Sequence, residues 1–122
     1  MTGPLREHGA LARGAFAVAL LVSLAVLFAP PSDVPSSPPG VDKVVHFSLF
    51  AVLAVTGRWA GVGRGLLPGL LVFYAAVSEL LQGTDLVNRD ASVADLVADT
   101  VGVVGGLLLW RLIAARRDRR GA

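Results

Sequence analysis

Residues 93–113 read VADLVADTVGVVGGLLLWRLI, a long apolar stretch with two carboxylates near its start and one arginine near its end. A helix of this length rises about 30 Å, which matches the hydrocarbon core of a bilayer. Its apolar residues fall on every face, as is typical of a helix that is buried or faces lipid. The segment therefore predicts a membrane-spanning helix with a polar end.

Three more apolar runs precede it, at residues 14–29, 41–57 and 66–82. Pro30 and Pro31 end the first run, and the proline-rich loop SDVPSSPPG at residues 32–40 separates it from the second. The second and third runs rise only about 25 Å each and just cross a bilayer. A soluble bundle is the alternative, but 54% hydrophobic and 16% charged residues leave too little polar surface to cover four such helices. We predict an all-α, four-transmembrane-helix bundle.

The first run also has features of a signal peptide, because Arg6 and Arg13 precede its apolar core. That core is long for a signal sequence, and the residues before Pro30 make a poor cleavage site. We therefore expect a retained span. The predicted organisation is an N-terminal transmembrane helix with its outer loop (residues 1–40), a three-helix core (41–113) and a basic cytoplasmic tail (114–122).

Basic residues are distributed unequally between the two predicted sides of the membrane. With four crossings, Lys43 and Arg89 lie on one side, and the other side holds Arg6, Arg13, Arg58, Arg64, Arg111, Arg116, Arg117, Arg119 and Arg120. The positive-inside rule then places both termini in the cytoplasm. The tail directly follows an apolar span and lacks interleaved aromatic residues, so we expect no nucleic-acid partner.

Polar residues collect where three of the helices reach the predicted outer side. A charged group near the hydrocarbon is costly, so such a group of residues is a functional-site hypothesis. The candidate ligand-binding residues are Asp42, Lys43, His46, Glu79, Gln82, Arg89, Ser92, Asp95 and Asp99.

Helical spacing predicts which of these side chains share a face. Asp42 and His46 are four apart, as are Asp95 and Asp99, and Glu79 is three residues before Gln82. His46, Glu79 and Asp99 each lie about one turn inside the outer end of a helix. We therefore expect them to meet in one pocket, with the other candidates above them.

Structural roles are the alternative for several of these residues. Asp42 and Asp95 can act as helix N-caps, and Lys43 can extend its side chain to the interface. For His46 and Glu79, the alternative is a purely structural role as a polar clamp between helices.

Small residues and one tyrosine in the spans have simpler interpretations. Gly102 and Gly106 are four apart, beside Gly105, and predict close helix packing. Tyr74 is expected near the middle of the membrane, where its hydroxyl can donate to the bundle interior.

Three motifs in this order resemble the VanZ-like family of small bacterial membrane proteins. They are DKVVHF at residues 42–47, ExxQ at 79–82 and RDASVADLVADTVGVVGG at 89–106, and the likeness covers about residues 41–113. The family pattern of the last motif falls here on Arg89, Ser92, Asp95, Asp99, Gly102 and Gly106. Asp99 departs from the usual asparagine, which matters because an amide donates and accepts whereas a carboxylate only accepts.

The resemblance implies a multi-pass protein of the bacterial cytoplasmic membrane, with membrane lipids around it. The family's namesake is associated with resistance to the glycopeptide teicoplanin, and no settled biochemical activity comes with the likeness. We expect an outward-facing pocket for an envelope-associated ligand, either a lipid-linked cell-wall precursor or the glycopeptide. Lys43 and Arg89 would hold its anionic group, and Glu79, Gln82 and Asp95 its amides or hydroxyls.

Two other functions remain open. An intramembrane enzyme could use His46 and Glu79 as acid and base on a lipid-linked headgroup, and in that case His46, Glu79 and Asp95 could in principle hold a divalent metal. No cofactor is otherwise expected, and the chain has no cysteine and no serine nucleophile motif. Proton movement through His46 and Asp99 is less favoured, because the inner halves of the last three spans lack charged residues before the arginines.

Overall fold

The computed structural model describes residues 8–28, 40–82 and 93–121. Every regular element in these ranges is an α-helix. The helices are α1 (Ala10–Leu27), α2 (Val41–Ala60), α3 (Leu66–Gln82) and α4 (Val93–Gly121). The predicted all-α, four-helix architecture is therefore confirmed.

The observed helix ends follow local chemistry. α3 has the predicted bounds. α2 continues past residue 57 to Ala60 and ends at Gly61, whose φ of 101° is in the left-handed region that glycine adopts without steric penalty. α1 ends at Leu27 rather than residue 29, ahead of Pro30, since the residue before a proline is disfavoured in a helix.

α4 extends well beyond the predicted end at residue 113 and continues to Gly121. Arginine and alanine are good helix formers, and residues 114–120 contain no proline or glycine. The basic stretch that was predicted as a separate tail is thus mostly an extension of the last helix.

Three contacts between helix ends define an up-down-up-down topology. The backbone N–H of His8 donates to the Trp59 carbonyl at 2.9 Å, which joins the start of α1 to the end of α2. The Gln82 side chain joins the end of α3 to the end of α1. The starts of α2 and α4 meet through Lys43 and Asp95. Consequently α1 and α3 run one way, and α2 and α4 run the other.

The closest helix packing is between α2 and α4, whose contact is the most extensive in the described bundle. An added Cβ at Gly102 would overlap the carbonyl oxygen of Phe47, and one at Gly106 would lie 2.8 Å from the Ala54 Cβ and overlap the Ala51 carbonyl oxygen. Only glycine permits this approach of two backbones. The predicted close-packing role of these two glycines is confirmed.

The outside of the bundle is largely apolar. Two of the described helices, α1 and α4, are long and apolar enough to cross a membrane, and α3 is an apolar helix of shorter length. In the apolar stretch that could cross a membrane, only 17% of α1 and 28% of α4 is buried, whereas the core helix of a soluble protein is mostly buried. The exposed remainder includes Leu21, Val97, Leu108 and Leu112.

Candidate functional site

The centre of the polar site is a contact between α2 and α4. The His46 ring Nδ1 lies 2.6 Å from Asp99 Oδ1. When the Asp99 carboxyl is ionised, the ring N–H is the donor, because a carboxylate can only accept. The residues are 3% and 0% exposed. The i, i+4 spacing of each helix predicted the correct faces, and the glycine contacts between α2 and α4 bring those faces within hydrogen-bonding distance.

Glu79 of α3 completes the deep layer of the site. One potential ligand atom from each of His46, Glu79 and Asp99 lies within 4.8 Å of the other two. Glu79 is 5% exposed. The expectation that three helices deliver these side chains to one place is therefore confirmed, and we call His46, Glu79 and Asp99 the deep cluster.

A second layer, nearer the helix ends, consists of Asp42, Lys43 and Asp95. Lys43 Nζ lies 2.6 Å from Asp42 Oδ2 and 2.8 Å from Asp95 Oδ1. The side chains of Asp42 and Lys43 are 45% and 40% exposed, so this layer forms the rim of the site. Asp95 also connects the layers, because its Oδ2 lies 3.8 Å from His46 Nε2.

The helix-capping interpretation has different outcomes for Asp42 and Asp95. The N-cap of α2 is Gly40, with φ of 90° and no side-chain hydrogen bond, so Asp42 is not the cap. Asp95 lies in the first turn of α4, where a carboxylate interacts favourably with the helix dipole. Because Asp95 also pairs with Lys43, capping is not its whole role.

Gln82 makes a contact that the sequence did not indicate. Its Nε2 donates to the Leu27 carbonyl oxygen at 2.6 Å, and the residue is 2% exposed. The last carbonyls of a helix have no N–H donor within that helix, so a buried helix end needs a donor from elsewhere. Gln82 therefore links α3 to α1 at the same end of the bundle as the rim. Arg89 and Ser92, the remaining candidates, lie outside the described residues.

The balance of charge in the two layers is acidic. Among the described residues of the site there are four carboxylates, one permanent cation and one titratable imidazole; the carboxylates are those of Asp42, Glu79, Asp95 and Asp99, the cation is Lys43 and the imidazole is His46. Lys43 already contacts two of the carboxylates. The described part of the site therefore attracts cations and hydrogen-bond donors more than anions.

A polar pair elsewhere in the bundle includes a residue that the sequence reasoning missed. Ser23 Oγ lies 2.7 Å from the Leu20 carbonyl, to which it donates, and 2.8 Å from Tyr74 Oη. The Tyr74 hydroxyl thus donates to Ser23, which confirms its expected orientation toward the bundle interior. The signal was available, because Ser23 is the one hydroxyl residue in the first apolar run.

Comparisons with protein-family models, curated proteins and solved structures find no match to this chain.

Proposed function

We propose that this chain is a VanZ-like, multi-pass protein of the bacterial cytoplasmic membrane that recognises an envelope-associated molecule at the outer end of its bundle. The observation that carries the proposal is the acidic two-layer site, built by three helices inside an otherwise apolar exterior. Placing several carboxylates in such surroundings is costly, so their convergence is best explained by a function.

The distribution of charge along the bundle supports four crossings with cytoplasmic termini. The acidic site lies at one end, with the starts of α2 and α4. At the other end, a cavity of about 680 Å³ is lined by Arg58, Arg64 and Arg111, together with Asp118 and apolar residues of α4. Arginines concentrated at one end fit the positive-inside rule, which supports a cytoplasmic position for that end.

The charge balance of the site narrows the chemistry of the ligand. Because Lys43 is engaged by Asp42 and Asp95, the described residues favour a ligand rich in amino, amide or hydroxyl donors. The sugar and peptide portions of a lipid-linked cell-wall precursor have these groups, as does a glycopeptide. An anionic group of the ligand would depend on Arg89.

A groove between α1 and α2 favours the lipid-linked ligand. It encloses about 900 Å³, is almost entirely apolar, and extends from Val44 and Val45 near the rim to Ala10 and Leu11 at the other end. A hydrocarbon chain fits such a groove, while the attached headgroup lies at the rim. Recognition of a free glycopeptide would leave the groove without a role.

Photo-crosslinking tests the ligand proposal. A benzophenone amino acid replaces Val93, which is 78% exposed at the rim, and in a control it replaces Leu112, 64% exposed at the other end of the same helix. We expect an envelope molecule with a donor-rich headgroup to be captured at position 93 only. Asp95→Asn should lower this capture about tenfold, since a hydrogen bond to a charged group contributes about 1.5–3 kcal/mol.

Asp118→Asn, which changes a carboxylate at the opposite end of α4, is the matched control and should leave capture unchanged. Equal capture of bulk phospholipid at both positions, or capture at position 93 that Asp95→Asn does not change, would contradict the proposal.

An intramembrane enzyme is the second candidate, and the His46–Asp99 contact favours it. A carboxylate that accepts from Nδ1 holds the imidazole in the form whose Nε2 can take a proton, which is how a general base is oriented. This function would require the molecule captured at position 93 to be chemically altered in a manner that depends on His46. Recovery of only unaltered molecules would favour binding.

A further inference from the structure

The deep cluster combines a histidine and two carboxylates in surroundings from which water is largely excluded. His46, Glu79 and Asp99 are 3%, 5% and 0% exposed and come from three different helices. Their potential ligand atoms lie within 4.8 Å of one another. One imidazole nitrogen with two carboxylate oxygens is a ligand set typical of divalent metal ions.

The electrostatics of the cluster supply an independent reason for a cation. Asp99 Oδ2 is buried and has no hydrogen-bond partner among the residues that the structure describes. The Asp99 side chain is itself fully buried. A buried carboxylate oxygen without a partner costs several kcal/mol in a low dielectric, so a proton or a metal ion must offset its charge.

We propose that the deep cluster binds one divalent transition-metal ion, with His46, Glu79 and Asp99 as its protein ligands. The ion class follows from the donors, because imidazole and carboxylate without thiolate suit Zn²⁺ and Mn²⁺. Ligand atoms across one ion are at most about 4.4 Å apart, twice a bond of about 2.2 Å. The widest separation in the cluster would therefore shorten slightly when the ion binds, and the 2.6 Å contact between His46 Nδ1 and Asp99 Oδ1 would lengthen.

Binding of the ion would replace the proton shared by His46 Nδ1 and Asp99 Oδ1, because a ligating nitrogen cannot keep its proton. Lys43 and Asp95 would remain above the site as its polar surroundings. Asp99 is central to this inference, since a carboxylate can ligate the ion with a charge that an asparagine lacks. The proposal goes beyond the proposed ligand recognition and does not depend on it, because the ion is held by the deep cluster alone.

Metal content of the purified protein tests the proposal. The full chain, carrying an affinity tag without histidine, is stripped with chelator in detergent, loaded with Zn²⁺ or Mn²⁺ and desalted. We expect one ion per chain by elemental mass spectrometry, and at least about tenfold weaker binding for Asp99→Asn and His46→Gln, since disturbing even an outer-shell partner of a metal costs 10–100-fold. Each bound Zn²⁺ should release protons in an unbuffered titration.

Two control variants separate this site from adventitious binding. His8→Gln removes the chain's other histidine, and Asp118→Asn removes a carboxylate at the opposite end of α4, so both variants should bind the ion as the wild type does. Wild-type protein that retains no ion, or ion binding that His8→Gln rather than His46→Gln abolishes, would overturn the proposal.

A measurement on the wild type covers the case in which His46→Gln fails to fold. Mn²⁺-loaded protein containing isotopically labelled histidine should show, by pulsed electron paramagnetic resonance, one histidine nitrogen coupled to the ion. A spectrum with oxygen ligands only would overturn the assignment. Photo-crosslinking at position 93 is measured separately, so failure of metal binding and failure of ligand recognition can be distinguished.

Discussion

His46→Leu is expected to lower the free energy of unfolding by about 3–5 kcal/mol, because it leaves the buried Asp99 carboxylate without the donor 2.6 Å away. Asp99→Leu should cost less, about 1–3 kcal/mol, since the remaining imidazole can stay neutral. The measurement is reversible unfolding in mixed micelles with chelator present, so that bound metal does not contribute. Asp42→Leu, at the 45% exposed rim, is the control and should cost at most about 1 kcal/mol.

The double variant His46→Leu/Asp99→Leu shows whether the pair is ionic. Replacing both partners of a buried pair by apolar residues is often nearly neutral, so the double variant should be more stable than the sum of the single effects by over about 2 kcal/mol. Ordinary hydrogen bonds between membrane helices contribute about 0.6 kcal/mol on average and at most about 1.7. A coupling energy in that lower range would contradict an ion pair and indicate a neutral hydrogen bond.

Gly106→Ala is expected to have the second large effect, a loss of about 1–3 kcal/mol of stability and a separation of α2 from α4. The added methyl group would overlap the Ala51 backbone and lie 2.8 Å from the Ala54 Cβ, and a backbone cannot rotate away as a flexible side chain can. Because α2 and α4 carry the His46–Asp99 pair, the same variant should also weaken capture at position 93. Unfolding in mixed micelles and crosslinking yield measure the two effects.

Gly105→Ala is the matched control, one position away on the same helix. Its added Cβ would lie 3.4 Å from the end of the Phe47 ring, an ordinary van der Waals contact with a side chain. Alanine is also the better helix former by about 1 kcal/mol. Gly105→Ala should therefore be neutral or stabilising, and equal effects of the two substitutions would refute the close-packing account.

Much of the helical layout could be predicted because it depends on local chemistry. The bounds of α3 follow from its apolar run, and the end of α1 follows from the prolines after it. The i, i+4 spacing identifies the polar faces of α2 and α4. The close approach at Gly102 and Gly106 was also readable, since small residues four apart have one main use in membrane helices.

The specific partners in the site could not be predicted in the same manner. Spacing shows that His46 and Asp99 can meet, but both Asp95 and Asp99 lie on the same face of α4. The rotation and axial offset of α2 against α4 decide between them, and these depend on packing over the whole interface. Asp99 accepts the short hydrogen bond, whereas Asp95 pairs with Lys43.

Gln82 illustrates a second limit, because its role depends on a helix that is distant in sequence. Its spacing from Glu79 suggested a ligand-binding side chain, and its partner proved to be the Leu27 carbonyl at the end of α1. The Leu27 carbonyl needs a side-chain donor only once α1 packs beside α3 and the end of α1 is buried. The extension of α4 through the basic tail, in contrast, depends on local sequence. The high helix propensity of its arginines and alanines predicts a helix, but the tail was assigned from its charge alone.

We propose that the acidic site lies at the outer end of a bundle that crosses the membrane four times. The chain has no cysteine, so single cysteines can report the topology directly. Val41→Cys places one beside the rim, and Gly63→Cys places one in the exposed turn between α2 and α3, where an added Cβ meets nothing within 4 Å. In intact cells a membrane-impermeant maleimide should label Val41→Cys alone and label Gly63→Cys only after permeabilisation. Labelling of Gly63→Cys in intact cells, with Val41→Cys protected, would place the site on the cytoplasmic side and contradict the account.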